Sequence, residues 1–280
     1  MHELSLVVFT VLAQSTVGLF LVLACLLMFN NDSRRQHLLN KLLLAVLALL
    51  VLAGGAAITH LGQPLRAVNV IFGLAHWSPL SVEIITTSLF GGAVFVYMLM
   101  VHFDLVKPLQ KVVLAAAMIL GVGLLWAIAN VYTLKTVPVW NSGWTTFQFF
   151  MTAFVVGIPA AALLLRTQAA NLGVFQKNAD RALATAGFIT LGLVLVGYPL
   201  YLSWLGQMNL AFSPLGLLDY HDGLMLTRLG LLFAGLGIWV IGATRGHNTA
   251  TSLAAVSTVM VLTAELCGRI FFYDLQMPVM

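Results

Sequence analysis

From its first residues the protein alternates long stretches without a charged side chain and short polar connections. Charge-free runs occupy Leu4–Asn31, Leu42–Leu65, Ile84–Phe103, Val112–Leu134, Thr136–Leu165, Ala182–Leu218 and Leu229–Thr244. An eighth, Gly246–Ala264, resumes past Glu265 and runs to Tyr273. Each is close to or above the ~20 apolar residues that a helix needs to cross hydrocarbon. The pattern predicts spans at roughly 6–29, 42–60, 84–102, 112–132, 147–166, 183–204, 224–243 and 250–273. The expected fold class is all-α, a polytopic membrane bundle of eight transmembrane helices forming one integral membrane domain over residues 1–280.

Composition supports this and removes other classes. Of 280 residues, 61% are apolar and 8% are Asp, Glu, Lys or Arg, where soluble domains carry roughly 45–50% and about 25%. Mean hydropathy is +1.01. Eight spans of ~20 residues use about 160 positions, so no extramembrane domain fits in the remainder. The first run is too long for the core of a cleavable signal and has no basic segment before it, so it is expected to stay as the first span. The formal charge of +4 is carried by short loops and reports topology. Nucleic acid is not an expected partner; membrane lipid is.

The basic residues are unevenly placed. Arg34, Arg35 and Lys41 fall in the first loop, Lys107 and Lys111 in the third, Arg166, Lys177 and Arg181 in the fifth, and Arg245 in the seventh; the even loops hold only Arg66 and Lys135. Because cytoplasmic loops collect Lys and Arg, the odd loops are expected inside and both termini outside. Trp77, Trp140, Trp144, Trp204, Tyr132 and Tyr201 then fall near the outer boundary, where amphipathic rings favour the headgroup level. Leu65, Val68, Ile71, Phe72 and Ala75, behind Pro64, have the spacing of a short surface helix on that side. Cys25 and Cys267 lie at opposite depths, too far apart to bridge. Gly54-Gly55, Gly91-Gly92 and the Gly121/Gly123 pair allow close helix approach, and Gly157-Ile-Pro159 and Gly197-Tyr-Pro199 are expected bends.

An ionisable group within the bilayer is a functional candidate by default. Here such groups collect in the expected outer half. His60 ends the second span, Glu83 opens the third, and Arg66 lies between them; Asn130 and Tyr132 close the fourth. Arg228 is about a turn into the seventh span, and Glu265 and Arg269 sit at i and i+4 in the eighth. Glu265 and Arg269 have the spacing of an intrahelical pair, and Arg228 could meet either Asp222 or Glu265. His60 and Glu83 flank one loop and can converge on a two-oxygen ligand, the carboxylate accepting a proton and the imidazole hydrogen-bonding the other oxygen. A haem held by two histidines is not expected, because only His60 and His102 touch spans and they lie at opposite faces. No Cys or His spacing suggests zinc or iron–sulfur ligation, so no haem and no metal are expected in this protein.

Taken in order, Thr59-His-Leu-Gly-Gln-Pro-Leu-Arg66 with Asn69, Ser81-Val-Glu83-Ile, Val131-Tyr followed by Thr136-Val-Pro-Val-Trp140, Asp219-Tyr220 ahead of Arg228, and Ala264-Glu-Leu-Cys-Gly-Arg269 with Phe272-Tyr273 form an ordered set. This set resembles the membrane-anchor subunit of dimethyl sulfoxide reductase, the DmsC family, from the first span to the last. The resemblance implies eight spans with outside termini in the bacterial cytoplasmic (inner) membrane. It implies partnership with a molybdopterin catalytic subunit and a ferredoxin-like four-cluster iron–sulfur subunit. It also implies oxidation of menaquinol, a substrate, for anaerobic respiration. His60 and Glu83 match the family's quinol-site residues, with Arg66 and Tyr132 as further expected contacts. On this reading the protein is a non-catalytic subunit that carries the quinol-oxidation site and hands electrons singly to its partner. Two other classes fit the same intramembrane charges: a secondary transporter, and a purely structural anchor without a quinol site. Transporters tend to place binding residues near the midplane and often in repeated halves, whereas the charges here are interfacial and the two halves show no clear sequence repeat.

Overall fold

The computed structural model describes residues 4–60, 78–208, 216–244 and 247–275, with the side chains of 60, 216–222, 243–244 and 247–250 outside that description. The helices are α1 (Leu4–Met28), α2 (Ser33–His60), α3 (Pro79–His102), α4 (Lys107–Tyr132), α5 (Gly143–Thr167), a single turn α6 (Ala169–Leu172), α7 (Val174–Gly206), α8 (Gly216–Thr244) and α9 (His247–Asp274). Among the described residues, eight helices are long and apolar enough to cross a membrane and none is a strand. The surface helix expected around 64–75 lies outside the described residues.

Local chemistry sets the ends. Asp32 caps α2, its Oδ1 accepting from the backbone N–H groups of Arg34 (2.9 Å) and Arg35 (3.2 Å). The helix therefore starts nine residues ahead of the apolar run at Leu42 and carries its charged first turns beyond the span. Proline occupies the first turn of both α3 and α4, where no intrahelical amide donor is lost. Gly173, at φ +53°, turns the backbone from α6 into α7. The 33-residue α7 likewise begins before its apolar run, at Val174.

The helices fall into two quartets with one neighbour order. In the first, α1 packs on α2, α2 on α3, α3 on α4 and α4 back on α1; in the second, α5 packs on α7, α7 on α8, α8 on α9 and α9 back on α5. The quartets meet through α1 against α5, flanked by α1 against α9 and α4 against α5. Over their most apolar stretches α1 and α5 are each 72% buried, against 22–44% for the other six spans, so these two form the central post. Exposed side chains such as Val51, Ile119 and Leu226 face outward, as expected where lipid replaces water.

The post is made by glycine. A Cβ on Gly18 would overlap the Ala153 carbonyl, and one on Gly157 would overlap the backbone of Gly18 and Leu19. Both glycines lie 14 residues past the first residue of their helices, so the two rods cross at one depth. The helix α5 continues through Pro159, and Gly157, read in the sequence as part of a bend, is a contact point with α1. Gly54, Gly55 and Gly92 have open space where a Cβ would go, so the expected close approach there does not form. Gly157→Ala is expected to lower stability by ~1–3 kcal/mol, because its obstacle is backbone that cannot yield. Gly192→Ala, with nothing within 4 Å, should be neutral or mildly stabilising. Unfolding by SDS titration in mixed micelles would show equal midpoints if the crossing were not a fulcrum.

Candidate functional site

Glu83 sits in the first turns of α3, 4% exposed, with its Oε1 buried and without a hydrogen-bond partner among the described residues. α2 packs along α3 and is joined to it by the segment 61–78, so the end of α2 at His60 and the start of α3 lie at one end of the bundle. The backbone thus brings His60 and Glu83 to the same end. The His60 side chain and all of Arg66 lie outside the described residues. Tyr132, the last residue of α4, is 7% exposed, and the Glu83 carboxyl lies within electrostatic range of the Tyr132 and Tyr273 hydroxyls.

Tyr132 belongs to an aromatic box. Its ring meets Trp140, Phe149, Phe272 and Tyr273 at centroid distances of 5.8, 5.4, 6.0 and 5.4 Å. Trp140 stacks on Phe272 at 5.0 Å and donates its indole N–H to the Phe272 carbonyl at 2.8 Å. That bond fixes the loop ahead of α5 to the last turns of α9, and Thr145 Oγ1 ties α5 to the Trp140 carbonyl at 2.6 Å. The sequence places Trp140, Tyr132 and Tyr201 near the outer boundary at the headgroup level, with no side toward bundle or lipid specified. In the structure they are 4%, 7% and 1% exposed, turned into the bundle. The Tyr273 hydroxyl is buried beside the Tyr132 and Thr10 hydroxyls.

Behind the box lies a charged cluster. Arg228 of α8 donates Nη2 to the Tyr198 hydroxyl and approaches Glu265 Oε1 at 3.5 Å. Glu265 Oε2 accepts from Thr152 Oγ1 at 2.6 Å, and Thr152 Oγ1 accepts from Arg269 Nη2 at 3.2 Å. Arg269 also reaches Gln14 Oε1 at 2.7 Å. The i,i+4 spacing of Glu265 and Arg269 predicts a direct pair; the two meet instead through Thr152, and Glu265 takes Arg228 as its ion partner, while the Asp222 side chain, the other partner expected for Arg228, lies outside the described residues. Both guanidiniums lie over rings, Arg269 at 3.7 Å from Phe149 and Arg228 at 4.0 Å from Tyr198. Gly268 is what admits Arg228, since a Cβ there would run into its side chain. Three helices, α7, α8 and α9, converge here on the two of the central post, so the cluster has the character of a structural lock.

Sequence reading misses Gln14, Thr152 and Tyr198, the neutral partners of these charges. A glutamine within the apolar first span is the available signal, because an amide in hydrocarbon needs a partner. Chemically, the end of the bundle near Glu83 offers a buried carboxyl oxygen without a partner among the described residues, a neighbouring phenol, and a rigid aromatic wall. Such a set can accept a proton and a hydrogen bond from a hydroxylated ring.

The family model described as DMSO reductase anchor subunit (DmsC) matches residues 1–275. The sequence is 34% identical over 286 residues to the YnfH subunit of anaerobic dimethyl sulfoxide reductase from Escherichia coli, an alignment covering 99% of this protein and 96% of the relative. The C subunit of anaerobic dimethyl sulfoxide reductase from the same organism is 32% identical with the same coverage. Its counterpart of the same name in Haemophilus influenzae is 27% identical over 278 residues, again covering 99% and 96%.

Proposed function

Because this protein belongs to the DMSO reductase anchor subunit (DmsC) family, and so is the membrane anchor of a DMSO reductase-type complex, we propose that Glu83 and His60 form the site where that complex oxidises quinol. The observation that carries this reading is the buried Glu83 carboxyl, which opens α3 beside Tyr132 with an oxygen that no described residue engages. A carboxylate in apolar surroundings without a partner is costly to keep for structure alone. Menaquinol, the substrate, enters from lipid with its tail left in hydrocarbon. Glu83 accepts the proton of one hydroxyl, His60 hydrogen-bonds the other oxygen and passes its proton to the outer aqueous side, and Arg66 and Tyr132 make further contacts. Two electrons leave one at a time for an iron–sulfur cluster on the partner, which passes them to a molybdopterin subunit. The basic loops face the cytoplasm of a bacterial inner membrane, so the site lies at the outer face and quinol protons leave outward.

A titration of membranes containing the intact complex with a fluorescent quinol-analogue inhibitor tests the proposal. Saturable binding in the wild type and loss of it in both Glu83→Gln and His60→Ala, at matched protein levels, is the expected result. Equal binding in all three would move the site elsewhere in the bundle.

A further inference from the structure

At the end of the bundle that carries the basic loops, opposite Glu83, the turn from α1 to α2 and the first turns of α4 enclose a cavity of about 130 Å³. That is several times the ~30 Å³ share of one water in the liquid. Its floor is apolar and buried, built from Leu27, Tyr97 and Leu114. Its rim is polar and exposed, with Asn31 and Ser33 on one side and Lys107 and Lys111 on the other. Lys111 Nζ donates to Asn31 Oδ1 at 3.1 Å, so the ammonium is held across the mouth.

The lining holds two lysines and no carboxylate. Asp32, the acid of that turn, is engaged by the α2 amides and by the Arg35 guanidinium at 3.5 Å. Gln110, also in the lining, donates its amide to the Met100 and Leu105 carbonyls at 3.2 and 2.8 Å, which fixes the α3–α4 turn and the start of α4. α4 has no side-chain cap, so its first amides add a favourable field for an anion at the mouth. The two ammoniums and the Ser33 hydroxyl supply donors at one small notch. This chemistry fits a phosphate group.

A second feature separates a lipid phosphate from a free one. Phe29, Phe103, Leu105, Val106 and Leu109, which surround the notch in sequence, are 87%, 62%, 48%, 63% and 46% exposed. Water would disfavour such a collar, whereas acyl tails would cover it. Basic pockets between transmembrane helices on the cytoplasmic side take the headgroups of anionic lipids. We propose that this notch is a binding site for one anionic diacyl phospholipid, its phosphate between Lys107 and Lys111 and its tails against the apolar collar.

The test uses the purified intact complex in detergent, with its thermal unfolding followed as lipid is added back. Phosphatidylglycerol is expected to raise the transition at concentrations where phosphatidylcholine does not, and millimolar inorganic phosphate alone should leave it unmoved. The Lys107→Gln/Lys111→Gln double variant should need about thirty-fold more phosphatidylglycerol, the equivalent of ~1 kcal/mol per lysine. Lys107→Arg/Lys111→Arg should keep the response, and so should Lys41→Gln/Lys177→Gln, which removes the same charge away from the notch. An equal response in the two glutamine pairs, or none in the wild type, would overturn the proposal. A shift with inorganic phosphate that matches the lipid's would reassign the notch to a free anion.

Discussion

Glu265→Ala is expected to destabilise the protein by about 3–5 kcal/mol, the cost of breaking a buried ion pair and leaving its partner uncompensated. The loss is large because Glu265 is, among the described residues, the carboxylate between two guanidiniums, with Arg228, Glu265 and Arg269 all 4% exposed or less. Without it Arg228 keeps, among the described residues, the Tyr198 hydroxyl and ring, and Thr152 loses the acceptor that orients it toward Arg269. Arg228→Met alone should cost a similar amount. The double variant Glu265→Leu/Arg228→Met should be more stable than either single change, because removing both charges also removes their desolvation. SDS unfolding of the three variants in mixed micelles decides the matter. If the double variant fell by the sum of the single losses, the two residues would not act as a pair.

Glu83→Gln should behave in the opposite way. Quinol-driven reduction of the complex is expected to fall at least a hundredfold, within the roughly 10²–10⁴ range for loss of a general base, while turnover with an artificial donor to the partner subunits stays at the wild-type value. Stability should be unchanged or higher, since Gln keeps the shape of a buried carboxyl whose Oε1 has no described partner. An unchanged quinol-driven rate would leave the protein as a structural anchor. A collapse of both electron routes together would make Glu83 part of the assembly rather than of the chemistry. Glu83 and Glu265, the two glutamates among the described residues, are thereby assigned separate work, and each assignment is exposed to its own measurement.

The spans are legible in the sequence because hydrocarbon enforces a helix wherever some twenty residues lack charge. The same constraint makes the depth of the ionisable groups readable, since position along a span is depth. Partner choice is not readable in this way. Glu265 has Arg269 at the favourable i+4 spacing, but Arg228 and Thr152 reach it from other helices. Glycines give a similar lesson. Gly54-Gly55 looks like a packing motif and meets open space, whereas the isolated Gly18 touches the backbone of α5. A single glycine announces nothing until the facing helix is known. Glu83 and Tyr132 are read as lying on one side, and the helices carry them to one end, yet the aromatic box behind them depends on a loop, Thr133 to Ser142, whose course local pattern does not fix.

The bond between Gln14 and Arg269 joins residues 255 positions apart. A ribosome adding about 5–20 residues per second needs roughly ten to fifty seconds to make the stretch between them. For that interval the first helix, with Thr10, Gln14 and Thr16 fully buried in the finished bundle, stands in or beside the membrane without the helix that completes its polar face. The order of manufacture therefore requires something to shelter that face until the last span arrives: the insertion machinery, a water-filled crevice, or provisional contacts with α5. A nascent polypeptide stalled before α9 would present its unpaired amide to lipid, and the membrane's quality-control proteases would see it first.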